Sequence, residues 1–134
     1  MCKCCQFQFP ISKEGGMIEL EDRIVSFVSR CVKVCAALPM KSIGSASFAD
    51  QLFRSSTSIA ANYAEACEAE SAKDFAHKLK VAMKELSETR MWLRLIGETG
   101  YLEKVKLIDL IDESRELSRI LSASVTTTKK RMRS

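Results

Sequence analysis

Residues 51–66 read QLFRSSTSIAANYAEA, and the ten from Ser55 to Ala64 carry no charge, although 28% of the whole chain is Asp, Glu, Lys or Arg. On a helix, Phe48, Leu52, Ile59, Tyr63 and Ala66 fall on one side, and Gln51, Arg54, Ser58, Asn62 and Glu65 form a narrow polar stripe directly beside it. Ser56, Thr57, Ala60, Ala61 and Ala64 line the remaining surface. A helix free in solvent would carry Lys and Glu there, whereas small uncharged side chains let other helices approach closely. An apolar flank, a polar stripe and a small-residue flank together predict a helix packed within a bundle.

Working outward, the residues before this stretch repeat the helical period. Ile24, Phe27, Val28, Cys31, Cys35 and Leu38 recur at three- and four-residue steps and predict a first helix over about 18–38, ended by Pro39. The helix around the opening stretch is placed at about 45–68. Ser71 with Asp74 three residues on is an N-terminal capping pattern, and Phe75, Leu79, Ala82, Leu86, Leu93 and Ile96 carry a third helix over about 72–97. Gly97 and Gly100 in GETG are placed at its end as residues that tolerate the left-handed conformation. Leu107, Ile111, Leu117 and Leu121 form the inward face of a fourth helix over about 102–122. No segment shows sustained apolar-polar alternation of the strand type. Short connections make neighbours run in opposite directions, so the expected fold is all-α, an antiparallel up-and-down four-helix bundle.

The chain of 134 residues is the size of one domain, and its 46% apolar content suffices for a single core. Residues 1–16 are read as a flexible cysteine-containing extension, 17–123 as the bundle, and 124–134 as a disordered tail, because TTTKKRMRS is polar, basic and aperiodic. The formal charge of +4 is matched by Lys129, Lys130, Arg131 and Arg133 alone, which leaves the body near neutral. Net charge therefore gives little support to nucleic-acid binding by the body as a whole. No apolar run is long enough to span a bilayer and the N-terminus lacks the apolar region of a secretory signal, so a cytoplasmic location without membrane contact is expected. Cys31, Cys35 and Cys67 fall in apolar helical patterns and are read as reduced small hydrophobes. Cys2, Cys4 and Cys5 lack the second ligand pair a zinc site wants, so no metal or other cofactor is expected.

The residues offer little catalytic apparatus. One histidine, His77, excludes a two-histidine metal site within one chain, and no glycine-rich phosphate loop is present. No residue is assigned a catalytic role. Two polar constellations remain. Gln51, Arg54, Ser58, Asn62 and Glu65 suit either a ligand site or, as preferred here, a hydrogen-bonded network that fixes helix register, with Arg54 paired to Glu65 or to a carboxylate of another helix or subunit. Lys73, His77, Lys80 and Lys84 step by four, three and four along the third helix. With Lys129, Lys130 and Arg131 they are the candidate nucleic-acid contacts, against the plainer reading of a solvated helix face.

Across LFRSSTSIAANYAEACEAESAKDFAHKLKVAMKELSETRMWLRLI, residues 52–96, the chain resembles the four-helix-bundle family of proteins encoded in intervening sequences of bacterial large-subunit ribosomal RNA genes. The accessory proteins of diversity-generating retroelements share that bundle. The matching positions are Arg54, Ser58, Ile59, Asn62, Glu65, Ala66, Ser71, Phe75 and Leu79, followed by Glu85 and Glu88. The chain departs from the pattern in having Ala66 where many members have glycine and Ala64 where close relatives carry arginine. The resemblance implies an antiparallel bundle that assembles into cyclic homo-oligomers, commonly pentamers, with no established enzymatic activity. For the retroelement branch it implies a basic partner of reverse transcriptase and of RNA or DNA. The leading expectation is a non-catalytic, self-associating scaffold or adaptor; the alternatives are a small-ligand binder or enzyme built on Arg54, Asn62 and Glu65, and a purely structural domain.

Overall fold

Ser42 and Ser71 each sit with extended backbone before a helix, and each side chain accepts a hydrogen bond from the amide three residues on, Ser45 N at 3.1 Å and Asp74 N at 3.0 Å. These caps satisfy amides that the helix itself leaves orphaned. The computed structural model describes residues 17–39 and 41–134. The described chain forms α1 (Met17–Ala37), α2 (Ile43–Cys67), α3 (Ala72–Glu98), a short 3-10 turn (Lys104–Lys106) and α4 (Ile108–Arg133), with no strand among these residues. The expected extension over 1–16, including Cys2, Cys4 and Cys5, lies outside the described residues.

Each helix packs against its neighbours in sequence, and α1 also touches α4, which closes the bundle. Side-chain pairs fix the directions. Arg54 meets Glu85 and Glu88 while Glu65 meets Lys78, so α2 and α3 run antiparallel. Arg90 meets Ser114 and Ser118, whereas Lys80 lies beside Lys129 much further along α4, so α3 and α4 are antiparallel too. The core contains Ile24, Phe27, Cys31, Leu52, Ile59, Phe75, Leu79, Leu86, Leu93, Ile96, Leu117 and Leu121, all essentially without solvent contact. Burial of such side chains, at roughly 25 cal/mol per Å² of apolar surface, is the main stabilising contribution.

Four expectations need correction. α2 starts at Ile43, not near residue 45, because Ser42 caps it and Gly44 admits the Tyr101 ring; a Cβ at Gly44 would lie 2.7 Å from the Tyr101 hydroxyl oxygen. Gly100 alone takes positive φ, at 80°, while Gly97 is buried within α3 against Lys104 and Leu107. α4 begins at Ile108 after the 3-10 turn and runs to Arg133, so residues 124–133 are helical where a disordered tail was expected. Ser124, Val125 and Thr128 continue its buried face, and Ser124 and Thr128 donate their hydroxyls to the carbonyls of Ile120 and Ser124, four residues back. Small hydroxyl side chains that satisfy themselves this way are buried without an orphaned polar group. Finally, Cys31 and Cys35 are free thiols as expected, but Cys67 is disulfide-bonded.

Candidate nucleic-acid interface

The polar stripe of α2 is engaged at the exposed edge of its seam with α3. Arg54 donates through Nε to Gln51 Oε1 at 3.2 Å, through Nη1 to Glu85 Oε2 at 3.3 Å and through Nη2 to Glu88. Its pKa is raised, chiefly by the hydrogen bond to Glu88 and then by the charges of Glu88 and Glu85. Glu65 accepts from Lys78 Nζ at 2.8 Å, and Asn62 donates to the Ser58 carbonyl at 2.9 Å. Arg54 and Glu65 therefore do not pair with each other; each clamps α2 to α3. Below them, Thr89 donates to Ser55 Oγ at 2.9 Å in a fully buried contact between the same two helices. None of the cavities described for the molecule is lined by Arg54, Asn62 or Glu65.

The basic residues are arranged differently. Lys73, His77, Lys80 and Lys84 are all exposed on α3, as their helical spacing requires. Lys78, four positions before Ala82 on the flank facing α2, is instead engaged by Glu65. Because α4 continues as a helix antiparallel to α3, its end returns alongside the start of α3. Lys129 comes to rest beside Lys80. The neighbouring Lys80 amine holds the Lys129 ammonium below its ordinary pKa, and Arg133 adds to the effect. Lys130, Arg131 and Arg133 are exposed on the same final turns. Two groups of cations that are separated by some 45 residues in sequence thus share one end of the α3–α4 face.

Such an arrangement suits a polyanion. Lysine ammoniums are compact point charges that bind phosphates without demanding a fixed orientation, and an exposed row of them favours a charged backbone over a single shaped ligand. Among the described residues no group of three or more His, Cys, Asp or Glu is placed to hold a metal ion, and no helix is long and apolar enough to cross a membrane.

Reading the sequence missed a further cationic group. Arg90 is half-buried between α3 and α4, where Nη1 donates to Ser114 Oγ at 3.3 Å and Ser118 Oγ at 3.5 Å. Its pKa is lowered, first by burial and then by the charges of Arg115 and Arg94. The signal was present in the spacing of Ser114 and Ser118, one turn apart on α4, but it acquires meaning only once the register of α3 against α4 is known.

Comparison with known proteins agrees with this architecture. A protein of unknown function from the S23 ribosomal protein family of Bacteroides thetaiotaomicron, solved by crystallography, is 32% identical in sequence with a TM-score of 0.73, over 79% of this chain and 97% of that one. The comparison with curated proteins found no match. The family model of the 23S rRNA-intervening sequence protein matches residues 18–123, which takes in all of α1 to α3 except Met17 and α4 up to Ala123. The chain belongs to the 23S rRNA-intervening sequence protein family.

Proposed function

We propose that the protein is a non-catalytic, cytoplasmic bundle that self-associates and serves as a scaffold or adaptor. Its partner surface is the joint basic end of α3 and α4, which meets nucleic acid or an enzyme that works on it. The observation that carries this reading is the placement of Lys129 against Lys80, with Lys130 and Arg133 on the adjoining turn. Like charges held together raise the local potential, and a phosphate backbone relieves that repulsion while releasing its counterions. RNA is the first ligand to test, since the family and the similar solved protein are both named for ribosomal components.

Self-association is supported by the outer flank of α2, where Phe53, Ala61 and Ala64 are exposed beside few charges. Family resemblance favours a cyclic pentamer. In such a ring the basic ends would repeat around one axis, and the relation to retroelement accessory proteins would make a reverse-transcriptase-like enzyme a second partner. Light scattering at micromolar concentration tests the assembly: a mass several times that of one chain is expected, and a monomer alone refutes it. A low-salt mobility shift with single- and double-stranded RNA and DNA tests the contact; no shift with any of the four rejects it.

A further inference from the structure

Arg90 is unusual among the arginines of this molecule. Its guanidinium offers five N–H donors, yet the bonds to Ser114 and Ser118 use only Nη1, and no carboxylate among the described residues pairs with it. A half-buried charge with neutral partners only is costly unless something anionic completes it. Arg94 stands one helical turn further along α3, and Arg115 lies next to Ser114 on α4, so three guanidiniums gather at one place on the α3–α4 seam.

Arg94 and Arg115, but not Arg90, line a cavity of about 280 Å³ whose apolar floor includes Leu93, Leu107 and Ile111. Lys104 on the same wall is neutralised by Glu98 at 2.9 Å, and Arg115 is held by Asp112 at 3.2 Å. The four cations meet two carboxylates, which leaves an excess of two positive charges. A carboxylate ligand would cancel half of that excess, whereas a phosphomonoester, carrying about −1.5 to −2 at neutral pH, matches it. Arginine forks also align bidentately with phosphate oxygens. The apolar floor then suits the uncharged body attached to the phosphate.

We infer that the seam between α3 and α4 holds a binding site for a phosphomonoester on a compact organic body, its oxygens taken by Arg94 and Arg115 with the charge of Arg90 close by, and its body laid on Leu93, Leu107 and Ile111. A nucleoside monophosphate and the 5′-phosphorylated end of an RNA both present this chemistry. The site is distinct from the proposed backbone contact at Lys80 and Lys129, and it stands or falls separately.

The test uses the full chain and four probes: adenosine, adenosine monophosphate, and one RNA oligonucleotide with either a 5′-hydroxyl or a 5′-phosphate. Binding is followed by titration calorimetry and fluorescence anisotropy. The expected result is binding of adenosine monophosphate but not adenosine, with loss of at least about tenfold in affinity for Arg94→Ala and for Arg115→Ala, both exposed positions. If the 5′-phosphate strengthens RNA binding by a similar factor, the site reads RNA ends; if it does not while the mononucleotide binds, the site takes free nucleotides. Lys80→Gln should lower the affinity of both oligonucleotides equally and leave the mononucleotide unaffected. No binding of the mononucleotide together with equal affinity for both oligonucleotides would overturn the inference, and so would phosphate-dependent binding untouched by both arginine substitutions. Equal competition by a phosphate-free acidic peptide would also overturn it, reassigning the arginines to a protein partner.

Discussion

At the scale of single residues, the α2–α3 seam carries the sharpest expectations. Thr89 gives its proton to Ser55, and Ser55 gives its own to the Leu52 carbonyl at 3.4 Å. Ser55→Ala strands the buried Thr89 hydroxyl and should cost about 1–3 kcal/mol, whereas Thr89→Val leaves Ser55 satisfied and should cost less. Chemical denaturation of the two variants checks that order, and equal losses would contradict it. Arg54 is about half exposed beside Glu88, so Arg54→Ala should cost less than Ser55→Ala despite its three partners. Cys31 supplies a pH dependence. Burial pushes its thiol up to about 12, above the value of about 8.5 in an unfolded chain, so the folded state favours the protonated form. Its contribution to stability is complete below pH 8.5 and is lost as pH rises towards 12, by about 1.4 kcal/mol per pH unit. Cys31→Ala should flatten that part of the stability-against-pH curve measured by denaturant unfolding, and an unchanged slope would count against it.

At the scale of helices, what could be read ahead depended on which residues do the burying. In α1 and α3 the core is made by Ile24, Phe27, Leu79, Leu86, Leu93 and Ile96, whose large apolar side chains announce the period, and these positions were foreseen. The start of α2 and the end of α4 were not. There the buried face passes to Ser45, Ser124 and Thr128, residues that look like solvent-facing or loop chemistry until a neighbouring helix covers them. Ser55 and Ser56 show the same blindness within the opening stretch, where Ser56 was assigned to the outer flank and is in fact buried. The polar stripe was expected to form a hydrogen-bonded network, but its partners on α3 depend on the offset between two helices, which no local pattern encodes. The α4 extension makes its own prediction. Amides of residues 124–128 should exchange with solvent far more slowly than those of a free tail, because Val125 and Thr128 are covered by the bundle. Deletion of residues 124–134 should also lower stability, by roughly the 1.5–3 kcal/mol associated with burying one such aliphatic side chain. Tail-like exchange rates and an unaltered unfolding midpoint would argue against a packed extension.

At the scale of the molecule, the functional account rests on that extension. A chain whose body is near neutral acquires a concentrated cationic surface only because α4 runs past residue 123, where the family match ends, and lays Lys129 against Lys80. Composition could not show this, since charge counts are blind to which residues become neighbours. The most direct measurement is RNA affinity as a function of salt, by fluorescence anisotropy, for the parent chain and for Lys80→Gln/Lys129→Gln. The account predicts a linear fall of log affinity with log salt, and a slope shallower by about one to two units in the double variant as phosphate contacts are lost. Parallel lines for the two proteins, or binding indifferent to salt, would contradict it.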